Sequence, residues 1–143
     1  MIAVDTNILV YAHRVDSSWH VRAAETVKSL AESPALWLIP WPCLHEFLAV
    51  VTHPRIYTPP TPIDVALTQV DLWLESPSLL LGCESSLYWR TLRQQLQSAK
   101  VAGAMVHDAR IAAICIEHKA SLIFSADRDF TRFSGIKVKN PLI

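Results

Sequence analysis

Short apolar runs alternate with helix-patterned segments along the whole chain, and this alternation constrains the fold more than any other feature. The apolar runs have the length of buried strands, and most are followed by a segment whose apolar residues recur at helical spacing. Alternating strands and helices form βαβ units, which build a parallel sheet with helices on both faces. The sequence therefore predicts an α/β fold, as a three-layer α/β/α domain with a central, mostly parallel sheet. The predicted strands are residues 2–4, 36–39, 79–81, 122–124 and 136–138, and the predicted helices are residues 6–12, 18–32, 42–53, 62–73, 86–99 and 105–118.

Two of the predicted helices carry specific expectations about capping and burial. Residues 16–18 offer N-terminal caps for the second helix, and Thr61 is expected to cap the fourth, with Pro62 at its first position. The face of the second helix that we expect to be buried comprises Val21, Ala24, Val27 and Ala31. The expected apolar stripe of the fourth helix comprises Ile63, Ala66, Leu67, Val70 and Trp73.

Length and composition favour a single domain with its own core. The chain has 143 residues, so we expect residues 1–143 to form one domain. Apolar residues make up 51% of the chain, which argues against extended disorder. The longest apolar run, residues 111–116, is far shorter than the roughly 20 residues of a membrane helix, so we expect no membrane segment. No secretory signal is visible at the start and the three cysteines form no C-x-x-C pair, so we expect a cytoplasmic protein.

Glycine content and charge narrow the possible functions further. Only three glycines are present, which excludes a G-x-G-x-x-G dinucleotide loop, a P-loop and a G-x-S-x-G nucleophile elbow. The net charge is zero, but residues 1–71 carry four basic and seven acidic residues, and residues 72–143 carry nine basic and six acidic residues. A neutral total argues against a simple nucleic-acid coat protein. An anionic substrate remains open if a metal neutralises some of the carboxylates.

Acidic residues stand directly after two of the predicted strands. Asp5 follows the first strand, and Asp127 and Asp129 follow the fourth. In an open parallel sheet, ligands gather at the edge where the strands end. Helices that follow strands begin at the same edge, so Glu46 and Asp108, near the starts of their helices, would lie there too. We therefore expect five carboxylates from distant parts of the chain to converge.

A carboxylate cluster of this kind favours a bound divalent cation. Nearby carboxylates raise one another's pKa and titrate as a coupled set, and a hard cation removes their repulsion. Mg²⁺ and Mn²⁺ prefer oxygen ligands, and Mg²⁺ leaves room for substrate phosphates. One metal can polarise a phosphoryl oxygen and activate water, while a second can stabilise the leaving oxygen. The pattern therefore points to phosphodiester hydrolysis.

Each acidic segment also has a simpler explanation. Residues 5–7 (DTN) are of types that commonly cap helices, and Asp108 stands where a helix dipole favours an acid. The six histidines suggest zinc, but the H-E-x-x-H pattern that begins at His45 has Ala49 in place of its second histidine. The expected placement of all the acids at one sheet edge favours the metal site over these separate explanations.

Four segments resemble the motifs of the PIN-domain family, and within it those of the VapC-type ribonuclease toxins of prokaryotic toxin–antitoxin systems. The opening motif is similar to residues 4–12 (VDTNILVYA), and the segment that supplies a glutamate is similar to residues 44–47 (LHEF). The third motif resembles residues 106–113 (VHDARIAA), and the last resembles residues 125–130 (SADRDF). Residues 51–55 (VTHPR) are typical of one branch of the family. The resemblance covers essentially the whole chain.

The resemblance implies roles for particular residues. Asp129 is a fifth acid, which either binds the metal or supports a ligand. Two positions differ from many relatives, which often have Thr where Ser125 stands and Asn where Ala104 stands. The implied catalytic residues and metal ligands are Asp5, Glu46, Asp108 and Asp127. The residues implied to orient carboxylates or waters are Thr6, Asn7 and Ser125.

The resemblance also implies an activity and partners. It implies a metal-dependent endoribonuclease that uses Mg²⁺, or alternatively Mn²⁺, and that forms a homodimer. It further implies a small cognate antitoxin protein that wraps the toxin and covers its site. Two alternatives remain at this point: a catalytically silent PIN scaffold, and a receiver-like signalling domain that binds Mg²⁺. Receiver domains usually carry an acidic pair early in the chain, whereas Asp5 stands alone here.

Overall fold

The computed structural model describes residues 1–143 and has a five-stranded sheet with six α-helices around it. All strand pairings are parallel, in the order β3-β2-β1-β4-β5. The predicted α/β fold is therefore confirmed, and the sheet is entirely rather than mostly parallel. The strands are β1 (Ile2–Val4), β2 (Trp37–Pro40), β3 (Leu79–Gly82), β4 (Leu122–Phe124) and β5 (Lys137–Lys139). The helices are α1 (Thr6–His13), α2 (His20–Glu32), α3 (Trp41–Val51), α4 (Ile63–Leu74), α5 (Tyr88–Ala99) and α6 (Met105–Glu117), with a 3-10 helix at Arg128–Arg132.

The chain reverses its direction across the sheet at β1. It runs outward from β1 through β2 to β3, then crosses to the other side of β1 and continues through β4 to β5. Because parallel crossovers are right-handed, this reversal places α1–α4 on one face of the sheet and α5 and α6 on the other. The helix contacts agree, since α1 packs against α2 and α3, and α5 packs against α6. The gap between β1 and β4 is therefore the switch point, where α/β sheets bind ligands.

The interior is one apolar cluster of 28 buried residues that includes side chains from both helical layers and the sheet. All four residues of β2 are buried, because neighbouring strands and both helical layers cover it. On the α1–α4 side, the ring of Phe47 contacts Trp73 edge-on, with 4.8 Å between the ring centroids. This contact fixes α4 against α3 and so sets the outer wall of that layer. No helix of the chain combines the length and the apolar character that a membrane span requires.

The buried face and the cap of α2 differ from the prediction. Ala23 and Val27 are the buried residues of α2, whereas Val21 is 66% exposed. The helix begins at His20 without a side-chain cap, so none of residues 16–18 caps it as predicted. Asp16 accepts two hydrogen bonds from the guanidinium of Arg14, at 2.9 and 2.7 Å. The acid among the three candidate caps thus pairs with the end of α1.

The prediction for α4 is also wrong in part. Thr61 does not cap the helix, because its hydroxyl contacts Nε2 of His13 at 3.1 Å and accepts from Arg14 at 3.2 Å. Pro62 occupies the N-cap position instead of the first helical turn. Of the expected stripe, Ala66 and Trp73 are buried, whereas Ile63 and Leu67 are exposed. The buried face of α4 is narrower than its apolar face, because α4 lies at the outside of the helical layer and packs mainly against α3.

Other boundaries shift by one or two residues, which is the usual spread at the ends of elements. The second strand extends through Pro40, and α3 starts directly after it, so that Pro42 lies in the first helical turn as predicted. A proline is tolerated there because the first helical N–H groups have no partner within the helix. This close junction brings the start of α3 to the carboxyl edge of the sheet.

Candidate active site

Asp5 lies at the centre of the site, at the end of β1 and beside the switch point. Its Oδ1 accepts the backbone N–H of Thr6 at 2.8 Å, so it caps α1 as the simpler explanation proposed. Its Oδ2 accepts from the hydroxyl of Ser125 at 2.7 Å and from the amide of Asn7 at 3.1 Å. Asp5 is only 6% exposed. Both carboxylate oxygens are therefore held by fixed donors, and the helix cap is only part of the role of this side chain.

Asn7 and Ser125 join the ends of β1 and β4. The Asn7 side chain accepts from the backbone N–H of Ala126 at 3.1 Å and donates to Ser125 Oγ at 3.3 Å. Ser125 Oγ also accepts from the backbone N–H of Asp127 at 2.9 Å. These bonds tie the loop after β4 to α1. The short loop after β4 is thus held beside Asp5.

Glu46 reaches the same place from α3. Thr6 Oγ1 donates to Glu46 Oε2 at 3.2 Å, which links the first turn of α1 to the second turn of α3. The thiol of Cys43, one turn before Glu46 on α3, donates to Asp5 Oδ1 at 3.7 Å. Burial raises the pKa of Cys43 well above its usual value, so the thiol keeps its proton and remains a donor. Glu46 itself is exposed and projects from the outer side of the group.

Four of the five predicted carboxylates border one cavity of about 250 Å³. Asp129 does not line it; its backbone N–H donates to Asp127 Oδ1 at 2.8 Å and so starts the 3-10 helix. The four acids on the cavity are Asp5, Glu46, Asp108 and Asp127. The remaining lining residues are Thr6, Asn7, Val10, Tyr11, Val50, Tyr57 and Ile111.

The cavity is lined by carboxylates that no basic side chain pairs with. Burial raises the pKa of Asp5, with a smaller contribution from the charge of Glu46, while hydrogen bonds from Ser125 and Thr6 oppose the rise. Burial and, to a smaller extent, the charges of Asp127, Asp5, Asp129 and Glu46 in that order together raise the pKa of Asp108 to about 6. The chain's three ion pairs, Arg14–Asp16, Lys28–Glu32 and Arg110–Glu84, include none of these acids.

The donor set fits a hard cation, although no coordination shell is formed in the structure. No three acidic, histidine or cysteine side chains converge tightly enough to hold one ion. Four of the five acids predicted to converge therefore line one cavity, but they do not surround a single ion. An oxygen-only set of four carboxylates, with no basic side chain paired to it, has the chemistry that Mg²⁺ and Mn²⁺ prefer.

Two residues at the site were missed by sequence reasoning. Cys43 could have been found, because it lies one helical turn before Glu46 and so faces the same way. Tyr57 lines the cavity from the loop between α3 and α4, and the Arg14 guanidinium lies 4.3 Å from its ring centroid. No local pattern could have placed Tyr57 there, because that loop has no periodicity.

A second, larger cavity of about 760 Å³ adjoins the first between α3 and the start of α6. The two cavities share Glu46, Asp108 and Ile111. Two of the six histidines, His45 and His107, line this second cavity. The acidic cavity thus opens onto a wider space with a different lining.

Comparisons with known proteins agree with this fold along nearly the whole chain. The sequence model of the family described as PIN domain matches residues 2–136. Ribonuclease VapC43 of Mycobacterium tuberculosis is 34% identical over 142 residues, which cover 99% of this chain and 96% of that protein. Ribonuclease VapC48 of the same species is 31% identical over 137 residues, which cover 96% of this chain and 94% of that protein.

Solved structures show the same architecture at lower identity. The complex VapBC2 from Rickettsia felis, bound to a DNA fragment from its promoter, contains a chain with a TM-score of 0.67 and 21% identity, covering 98% of both chains. The sarcin-ricin loop cleaving toxin VapC20 of M. tuberculosis has a TM-score of 0.67 and 14% identity, covering 95% of this chain and 98% of the other. With the family match and the relatives above 30% identity, the chain belongs to the PIN-domain family, in the branch of the VapC proteins.

Proposed function

We propose that this protein is a metal-dependent endoribonuclease and the toxin of a toxin–antitoxin pair. One observation carries the proposal. A buried aspartate at the switch point of the sheet shares a cavity with three further carboxylates, and no basic side chain pairs with them. Names of the relatives support it, because VapC43 and VapC48 are called ribonucleases. The catalytic residues and metal ligands in this proposal are Asp5, Glu46, Asp108 and Asp127, with Asp129 as a fifth acid nearby.

The chain's own residues would hold and orient the carboxylates. Ser125 and Asn7 hold Asp5 Oδ2, and the Thr6 N–H holds Oδ1, so the carboxylate keeps one orientation toward the cavity. The Thr6 hydroxyl orients Glu46 by the same means. A divalent cation such as Mg²⁺ or Mn²⁺, when bound here, supplies Lewis-acid polarisation of a phosphoryl oxygen and lowers the pKa of water. No serine, cysteine or histidine nucleophile is required for this hydrolysis.

The proposal extends to partners and setting. The substrate is RNA, and a cognate antitoxin protein covers the site when the toxin is inactive. Complexes named VapBC among the solved relatives support a protein partner. The toxin acts in the cytoplasm as a homodimer, with residues 1–143 as a single nuclease domain.

The decisive variant is Asp5→Asn, which keeps the shape of the side chain and its capping oxygen. We expect loss of RNA cleavage by the purified protein, with the folded structure retained in its circular dichroism spectrum. Asp71→Asn, on the exposed side of α4, is the matched control and should cleave normally. Undiminished cleavage by Asp5→Asn, freed of contaminating nucleases, would contradict the proposal.

Calorimetry with Mn²⁺ separates an active enzyme from a silent scaffold. The wild type should bind Mn²⁺, and Asp5→Asn should bind it much more weakly because a ligand is lost. Absence of Mn²⁺ binding by the wild type would favour the scaffold.

A further inference from the structure

The larger cavity presents two opposed helical faces. On α3, Trp41, His45 and Ala49 are spaced four residues apart and therefore share one face. On α6 and just before it, Ala104 and His107 line the opposite wall. Three of these five side chains are aromatic or imidazole rings, and the two alanines leave the space between the walls open.

Trp41 lines this space from the start of α3. Its side chain is 39% exposed, so part of the indole is accessible to a ligand. Its ring meets His45 edge to face, with centroids 6.2 Å apart and 71° between the planes. That contact helps to hold the indole at the cavity wall, and 39% of the side chain remains exposed.

Acidic and hydrogen-bond-donating side chains both line the cavity. Glu46 and Asp108 also border the acidic cavity. His107 and Arg110 line the larger cavity too, and Glu84 pairs with Arg110 and so fixes the guanidinium in place. A ligand that reaches from the carboxylates into this space therefore meets the Trp41 ring together with imidazole and guanidinium donors. A nucleotide has the complementary parts, which are a π-face on its base and an anionic phosphate.

We propose that this cavity binds the nucleotide adjacent to the scissile phosphate, with its base stacked on Trp41. The proposal rests on the nuclease function proposed above, because that function places the scissile phosphate at the carboxylates. Stacking accepts any base, since every base has a π-face, so Trp41 contributes affinity and position rather than base identity. His107 and Arg110 are placed to contact the neighbouring phosphate or sugar.

Binding is measured first, without cleavage. A short fluorescein-labelled single-stranded RNA is titrated with protein both in Ca²⁺, a hard cation that can neutralise the carboxylates, and in EDTA, and anisotropy reports the Kd. Trp41→Ala should weaken binding roughly tenfold, the equivalent of about 1.4 kcal/mol. Trp41→Phe keeps an aromatic face and should stay within about threefold of wild type. The matched control is Trp89→Ala, since Trp89 is exposed on α5 and outside this cavity.

A fluorescence measurement identifies the stacked residue. RNA should quench part of the tryptophan emission of the wild type, and Trp41→Phe should lose that quenching while it retains affinity. Trp89→Ala should keep the quenching. Equal losses of affinity in Trp41→Ala and Trp89→Ala would overturn the assignment, because they would indicate a general effect of exposed tryptophans.

Steady-state RNA cleavage separates a role of Trp41 in substrate binding from a purely structural role, because KM and kcat are measured independently. Trp41→Ala should raise KM roughly tenfold and leave kcat within about twofold, because uniform binding is lost. Ala49→Glu places a bulky anion on the same exposed helix face without touching Trp41, and it should raise KM similarly. Unchanged Kd and KM in both variants would overturn the proposal and would favour a protein partner for this cavity. Binding is measured separately from cleavage. The comparison of Kd values therefore stays valid even if the protein proves not to be a nuclease.

Discussion

Replacing Asp108 by asparagine should stabilise the metal-free protein. Partial burial of the carboxylate, with a smaller contribution from the charges of four neighbouring acids, raises its pKa from 3.8 to about 6. Such a shift corresponds to roughly 3 kcal/mol at about 1.36 kcal/mol per pKa unit. Solvent screens a side chain that is this exposed, so we expect a gain of roughly 1 kcal/mol at pH 7.5. Asparagine keeps the shape of the side chain and removes the charge.

The raised pKa of Asp108 determines how the stability of the protein changes with pH. A raised pKa means that the folded state binds the Asp108 proton more tightly than the unfolded state between pH 3.8 and about 6. Stability of the wild type therefore falls as pH rises through this window, and the deficit persists above it. The advantage of Asp108→Asn should be full at pH 7.5, shrink below pH 6 and vanish near the unfolded pKa.

Urea denaturation in EDTA at several pH values measures the effect, with Asp71→Asn as a control for loss of an exposed carboxylate. Saturating Mn²⁺ should reverse the order of stabilities. A ligand at 100 times its Kd stabilises the wild type by about 2.7 kcal/mol, and the variant lacks one of the proposed ligands. A destabilised Asp108→Asn at pH 7.5 in EDTA, or an advantage that does not change with pH, would refute the electrostatic reasoning.

Variants at two further positions test packing and orientation. Gly82→Ala should lower the free energy of unfolding by about 1–3 kcal/mol in urea titrations, because its Cβ would lie 2.9 Å from Leu38 Cδ1 and 3.0 Å from Ile114 Cγ2; a neutral effect would show that these side chains can yield. Ser125→Ala should weaken Mn²⁺ binding about 10–100-fold in calorimetry, because Asp5 Oδ2 loses its closest donor. Ser125→Thr keeps the hydroxyl and should bind nearly as wild type, and equal weakening in both variants would contradict the role of that hydroxyl.

Some of the site residues can be predicted from the sequence alone, and others cannot. Asp5 and Asp127 were placed correctly because each follows a strand, and parallel strands all end at one edge of a sheet. The cavity confirms that they meet there. Asp129 stands only two residues beyond Asp127, in the 3-10 helix that starts there, but it does not line the cavity. Tyr57 and the cavity that Trp41 lines could be located only in the folded chain, because separate segments of the sequence form both.

The sequence by itself determined the element order, the α/β class and the edge where the acids collect, because hydrophobic periodicity and strand-to-helix junctions are local properties of the chain. Only the tertiary structure decided which apolar faces are buried, as with Val21 on α2 and Ile63 on α4, because burial depends on what packs against a helix. It also decided that Asp16 pairs with Arg14 instead of capping α2. In each case a side chain can interact either with a neighbour in the sequence or with a residue far from it in the sequence. Only the folded chain brings the distant residue within reach.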